Sequence, residues 1–191
     1  MVIKEYIEKS IQTKKSILED KNLLSLVERT ALLIIDSFKN GNKLLTAGNG
    51  GSAADAQHFA GELVSKFNIV RPGLPAIALT TDSSILTAIS NDLGYENIFA
   101  KQIEALGNNG DTFVAISTSG TSPNIVTALK KANEKGLKTI LLTGCSSNLD
   151  DTISDIIIKI PSDSVSLIQE SHIMIEHIIC AMVEESLFKS N

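Results

Sequence analysis

Basic charge, cysteine and long apolar runs are all scarce in this chain of 191 residues. Its 17 Lys and Arg are outnumbered by 22 Asp and Glu, leaving a formal net charge of -5. A protein that tracks a nucleic-acid backbone would carry the opposite excess. The two cysteines, Cys145 and Cys180, stand far apart and match no zinc or redox spacing. They are expected to be buried free thiols of a cytosolic protein. No apolar run approaches the length needed to cross a bilayer. The opening MVIKEYIEKSIQTKK scatters charges where a signal peptide would place an apolar block. A soluble cytoplasmic protein is therefore expected, with neither membrane nor nucleic acid as partner. Internal repeats, linkers and low-complexity segments are absent as well.

What is present is a globular composition, 43% hydrophobic and 20% charged, of a length suited to one domain with a substantial core. Residues 2–19 carry Val2, Ile3, Tyr6, Ile7 and Ile11 at helical spacing, and residues 22–40 repeat the rhythm until Asn40-Gly41 stops it. This opening pair (1–41) exposes enough apolar surface to need a cover, in its own domain or from another subunit. From residue 42 onward the rhythm becomes that of an α/β core. Short apolar runs at 43–47, 75–80, 111–118, 137–143 and 155–160 predict five strands. They show little alternation, so both faces of the sheet are expected to be covered. Helices are predicted after Gly51, over 95–106, after Ser122 and from Ser164 to Leu187. Alternation of this kind predicts a three-layer, doubly wound parallel sheet. Ligands of such sheets bind beyond the carboxyl ends of the strands, which directs attention to the loops after the first three.

The first of these loops, Gly48-Asn49-Gly50-Gly51-Ser52-Ala53, formally fits a dinucleotide fingerprint. The acidic residue such a site requires after the second strand is missing, Asp82 lying late, so no nucleotide cofactor is expected. The turn still suits an anion, with glycines and the start of a helix. The loop STSGTSPN places Ser117, Thr118, Ser119, Thr121 and Ser122 around one glycine, without a Lys or Arg. Ser122 could serve merely as a helix cap before Pro123. The remaining hydroxyls exceed what a turn needs and suit a phosphomonoester held by neutral donors.

All three histidines lie in two helices. His58 and Glu62 are four apart and share a face, either as a surface pair or as chemistry bordering the anion site. In QESHIMIEHII, Gln169 and His177 are eight apart, about 12 Å along a helix and only loosely on one face. His172 is expected in the core. His177 is the better functional candidate.

The segments GNGGSAADAQHFAGEL, RPGLPAIAL, SNDLGYENIF, ISTSGTSPNI and IQESHIMIEHII together resemble the phosphoheptose isomerases, a branch of the sugar-isomerase (SIS) domain proteins. The resemblance spans nearly the whole chain and implies a flavodoxin-like SIS fold. It implies a homotetramer with active sites at subunit boundaries. It implies conversion of sedoheptulose 7-phosphate to D-glycero-D-manno-heptose 7-phosphate, the first step toward nucleotide-activated heptose. In its terms Ser52, Ser117, Thr118, Ser119 and Ser122 hold the phosphate, and Asn49, Gly50, Gly51, Asn91, Asp92, Glu62 and Gln169 meet the sugar. Glu62 and His177 move protons, and His58, Glu62, Gln169 and His177 ligate zinc. Gln is an unusual zinc ligand, and one carboxylate cannot easily serve as both tight ligand and free base. Ser166-Leu167 stands where such proteins often carry Asp-Arg. The rival expectation is a non-catalytic SIS scaffold or sugar-phosphate sensor. Such a protein has no need of Glu62 and His177 beside an intact serine loop.

Overall fold

The structure, a computed structural model, describes residues 2–146, 150 and 152–189. The ends of the expected single domain, 1 and 190–191, lie outside the described residues.

The predicted strands form as β1 (Leu44–Gly48), β2 (Ala76–Ala78), β3 (Thr112–Ile116), β4 (Lys138–Gly144) and β5 (Ile156–Ile160). All pair in parallel, in the order β2-β1-β3-β4-β5. The register places Leu45 beside Phe113 and Val114 beside Ile140. Because successive strand residues point to opposite faces, Leu44, Val114, Ile140 and Ile156 join one core while Leu45, Phe113 and Leu141 join the other. The first core is closed by α2 (Lys21–Lys39), α3 (Gly51–Val64) and α7 (Val165–Phe188), the second by α5 (Ala100–Leu106) and α6 (Pro123–Glu134). Both sheet faces are thus covered, which explains the unalternating strands.

The opening helices are α1 (Val2–Glu19) and α2. Asp20 separates them and caps α2, its carboxylate accepting the Asn22 and Leu23 amides at 3.0 Å each. Gly41, at φ 76°, ends α2 where Asn40-Gly41 foretold. α1 keeps its apolar face uncovered, with Val2 80% and Leu18 70% exposed.

Three details depart from expectation. Residues Ser83–Leu93 form a helix, α4, which the periodicity did not suggest. It buries no residue fully: Leu86 and Ile89 pack at the edge of the second core, while Ile85 and Leu93 stay exposed. Asp82, too late for a ribose, caps this helix by accepting the Ile85 amide at 2.9 Å. The helix expected over 95–106 is instead a 3-10 turn, Tyr95–Asn97, followed by α5. Cys145 is exposed while Cys180 is buried; β4 ends at Gly144, so Cys145 is the first residue past the sheet. Among the described residues no helix is long and apolar enough to cross a membrane.

Candidate active site

In the strand order 2-1-3-4-5 the connection reverses between β1 and β3, and the crevice beyond their carboxyl ends is the natural ligand position. The glycine turn follows β1 and the serine loop follows β3, so the fold brings the two candidate anion loops to the same crevice.

The glycine turn is built for close approach. Gly50 sits at φ 55°, a conformation that a side chain strains, and it begins α3 without a capping side chain. A Cβ on Gly51 would lie 2.0 Å from Nε2 of Gln169, so only glycine lets α7 come this near. Across the crevice, Ser122 holds the N-cap position of α6, yet its hydroxyl makes no capping bond. It lies 3.3 Å from the Ser117 hydroxyl. Ser117 in turn accepts the Gly120 amide at 3.2 Å, and Ser119 accepts that of Thr121 at 3.3 Å. Two helix N-termini without side-chain caps therefore flank one cluster of hydroxyls. Uncapped amides and the positive end of a helix favour an anion.

The two loops are tied together. Asn49 and Asn124 exchange amide hydrogen bonds of 2.9 and 2.8 Å, and Tyr95 donates to Asn49 Oδ1 at 3.1 Å. Asn124 is buried. The Asn49 side chain, expected against the sugar, thus serves as a clasp here. Ser52 is buried on the first turn of α3. Asn91 and Asp92 lie exposed near the end of α4, where Asn91 Nδ2 donates to Asp92 Oδ1 at 2.7 Å.

The histidine helices meet beside this crevice. His58 of α3 and His177 of α7 aim their Nε2 atoms at one another across 2.7 Å, with Glu62 Oε1 3.5 Å from His58 Nε2. The rings meet edge to face, and Phe67 packs on the His177 ring at a centroid distance of 5.4 Å. Two imidazole nitrogens this close cannot both present lone pairs, so they share a proton or a cation. Two ring nitrogens with an adjacent carboxylate make a donor set of the kind zinc takes. Gln169 lies within α7 rather than ahead of it, its amide against Gly51. Its amide acts to lower the Asp55 pKa against burial and, among the described residues, makes no hydrogen bond with either imidazole. Among the described residues, no group of three or more His, Cys, Asp and Glu side chains is arranged to hold a metal ion, this trio included.

His172 is a core residue, as expected: it is fully buried, and its Nε2 lies 3.3 Å from the Thr143 carbonyl. Burial lowers its pKa to about 4, against a small upward pull from that carbonyl. Two buried acids near the site were not foreseen. Glu176 is fully buried with neither oxygen hydrogen-bonded, and burial, reinforced by the Asp55 charge, raises its pKa to about 8. Asp55 is raised by burial too, opposed by the Gln169 amide and by His58. Their only sequence signals were Asp55 three residues before His58 and Glu176 immediately before His177.

The fold, the crevice and the hydroxyl loop place the protein among sugar-phosphate-handling α/β domains of the SIS type, and residues 5–144 match the SIS domain family. The chain belongs, within that family, to the phosphoheptose isomerases. It is 55% identical to the phosphoheptose isomerase of Aneurinibacillus thermoaerophilus over 98% of its own length and 95% of that protein. The solved phosphoheptose isomerase of Francisella tularensis superposes with a TM-score of 0.90 at 40% identity, covering 96% of both chains. That of Neisseria gonorrhoeae gives 0.87 at 40% identity, covering 96% of this chain and 97% of the other.

Proposed function

We propose that the protein interconverts sedoheptulose 7-phosphate and D-glycero-D-manno-heptose 7-phosphate. The observation that carries this reading is the meeting of His58, Glu62 and His177 beside a crevice rimmed by uncapped hydroxyls. Membership of the phosphoheptose isomerases supports the choice of a seven-carbon sugar.

In the proposed mechanism the hydroxyls of Ser52, Ser117, Thr118, Ser119 and Ser122, with backbone amides of both loops, grip the phosphate. A fixed distal phosphate lets binding energy place C1 and C2 against the reacting side chains. Glu62 removes the proton from C1 of the ketose, or from C2 of the aldose, and returns it to the neighbouring carbon. The intermediate is the enediolate common to both sugars. His177 transfers protons at the sugar oxygens. Zinc, held by His58, Glu62, Gln169 and His177, would polarise the carbonyl and stabilise negative charge on the oxygens. Gln169 and Asp55 order the floor of the crevice, and Asn91 and Asp92 are assigned to the far side of the sugar.

A homotetramer with sites at subunit boundaries fits the uncovered apolar faces of α1 and α4. A cytoplasmic location is proposed with it.

The test is incubation with sedoheptulose 7-phosphate, following loss of the ketose and gain of an aldoheptose phosphate. Glu62→Gln should stay folded and lose turnover. Assembled, zinc-replete protein that leaves the ketose untouched would move the assignment to a sensor or scaffold.

A further inference from the structure

Glu184, near the end of α7, is buried and collects four donors from one loop. Its carboxylate accepts the amides of Phe67 at 2.8 Å, Asn68 at 2.7 Å and Ile69 at 3.2 Å, and Nε of Arg71 at 3.0 Å. These bonds hold it below the usual carboxylate range despite burial, which raises it. Arg71 spends the rest of its guanidinium on the end of α3: Nη2 donates to the Glu62 carbonyl at 2.9 Å and Nη1 to that of Leu63 at 2.6 Å. Its planar head also lies 5.5 Å over the Phe188 ring. Both side chains of the ion pair are almost wholly buried, at 1% and 3% exposure.

A buried ion pair is weak evidence for stability, because desolvation offsets much of the attraction. Its connections here suggest a different use. One arm grips the backbone of Glu62. The other fixes the loop whose Phe67 ring packs on His177. The α3 carbonyls that Arg71 takes lie at a helix end, where cations are favoured; that of Leu63 also accepts the Leu74 amide at 3.0 Å.

We infer that the Arg71–Glu184 ion pair is the positioning device of the reaction, setting Glu62 through its own carbonyl and His177 through Phe67. This rests on the proton-transfer roles proposed for those two residues. Neither Arg71 nor Glu184 is itself a catalytic residue; each acts through another group. Displacing such a support by a fraction of an ångström costs turnover rather than substrate affinity, because the phosphate grip lies elsewhere.

Arg71→Lys keeps the charge opposite Glu184 and loses the fork that reaches both carbonyls. In the assembled, metal-replete protein it should lower kcat by about 10- to 100-fold while KM stays within about threefold. The chain has three histidines, so their ring protons can be followed individually by NMR. The His177 resonance should move in Arg71→Lys while that of His172 stays. Phe67→Leu, which leaves the ion pair intact, should also move His177 and lower kcat by about tenfold. Wild-type kcat with an unmoved His177 signal, even alongside a lower melting temperature, would make the pair merely structural and overturn the inference. A raised KM with unchanged kcat would overturn it too. If Arg71→Lys fails to assemble, Phe67→Leu decides by the same two readouts. Glu62→Gln is run in parallel: retained turnover there would defeat the base assignment, and the His177 signals would then judge the positioning role on their own.

Discussion

Ser122 occupies the place of a helix cap and leaves the capping bond unmade, a small omission with a large effect on what the crevice can bind. A hydroxyl bonded to its own helix would be lost to a phosphate. A hydrogen bond to a charged group is worth about 1.5–3 kcal/mol. Ser122→Ala should therefore raise KM for the sugar phosphate by about tenfold or more, with a smaller change in kcat, in steady-state kinetics. Glu176 offers a second test at this scale. Its folded pKa of about 8 stands above the ordinary value of 4.5, so the folded chain binds the extra proton between those values. Its stabilising share is complete below 4.5 and is lost as pH rises through 8. His172 works in the opposite sense, losing its share as pH falls from 6.5 to about 4. Between pH 6.5 and 8 the Glu176 slope stands clear of that of His172. The melting temperature should fall across this window, and Glu176→Gln should flatten the fall. The hydroxyl loop was legible in the sequence because five hydroxyls around one glycine have few other uses. Glu176 and Asp55 were not, because nothing in their spacing says that a charge is buried. Arg71 and Glu184 were hidden by a separation of 113 positions along the sequence.

At the scale of elements, the parts that sequence reading placed well are those whose partners lie within the chain. The five strands are apolar on both faces because helices cover both, and that pattern survives in the bare sequence. α4 escaped notice because only Leu86 and Ile89 reach the core, at its edge, while Ile85 and Leu93 remain exposed, which blurs the stripe. A helix of 11 residues with no buried side chain is marginal in water on its own. α1 presents the same problem on a larger scale, with Ile7 52% and Ile11 49% exposed beside Val2 and Ile3. Only its inner edge is secured, by Thr13 and Ile17 and by Lys14 and Ser10 bonded to Glu170 of α7. Introducing charge on the outer face, as Ile7→Lys with Ile11→Lys, should break the proposed tetramer without unfolding the α/β core. Light scattering would show the smaller species, and far-ultraviolet dichroism the retained fold. A double variant that remains tetrameric would remove this face from the assembly.

At the scale of the whole molecule, the division of labour is between loops that hold and helices that react. In the proposed mechanism the serine and glycine loops grip one end of the substrate, and α3 and α7 present the imidazoles and the carboxylate to the other. In the proposed site zinc would link these two helices, so its removal should be felt in stability as well as in rate. Protein purified without chelator or added metal is expected to carry about one zinc per chain, and dialysis against a chelator should lower both turnover and melting temperature. Metal-free protein with full activity would remove zinc from the mechanism and leave His58 and His177 as a proton-sharing pair. That pair spans 119 residues of sequence. A ribosome delivers the first histidine early and the second only when the last helix emerges. Every strand precedes α7 in the chain, yet one face of the sheet stays open until Ile168, Ile175 and Ile179 arrive to close it. In the proposed mechanism, activity therefore waits for α7.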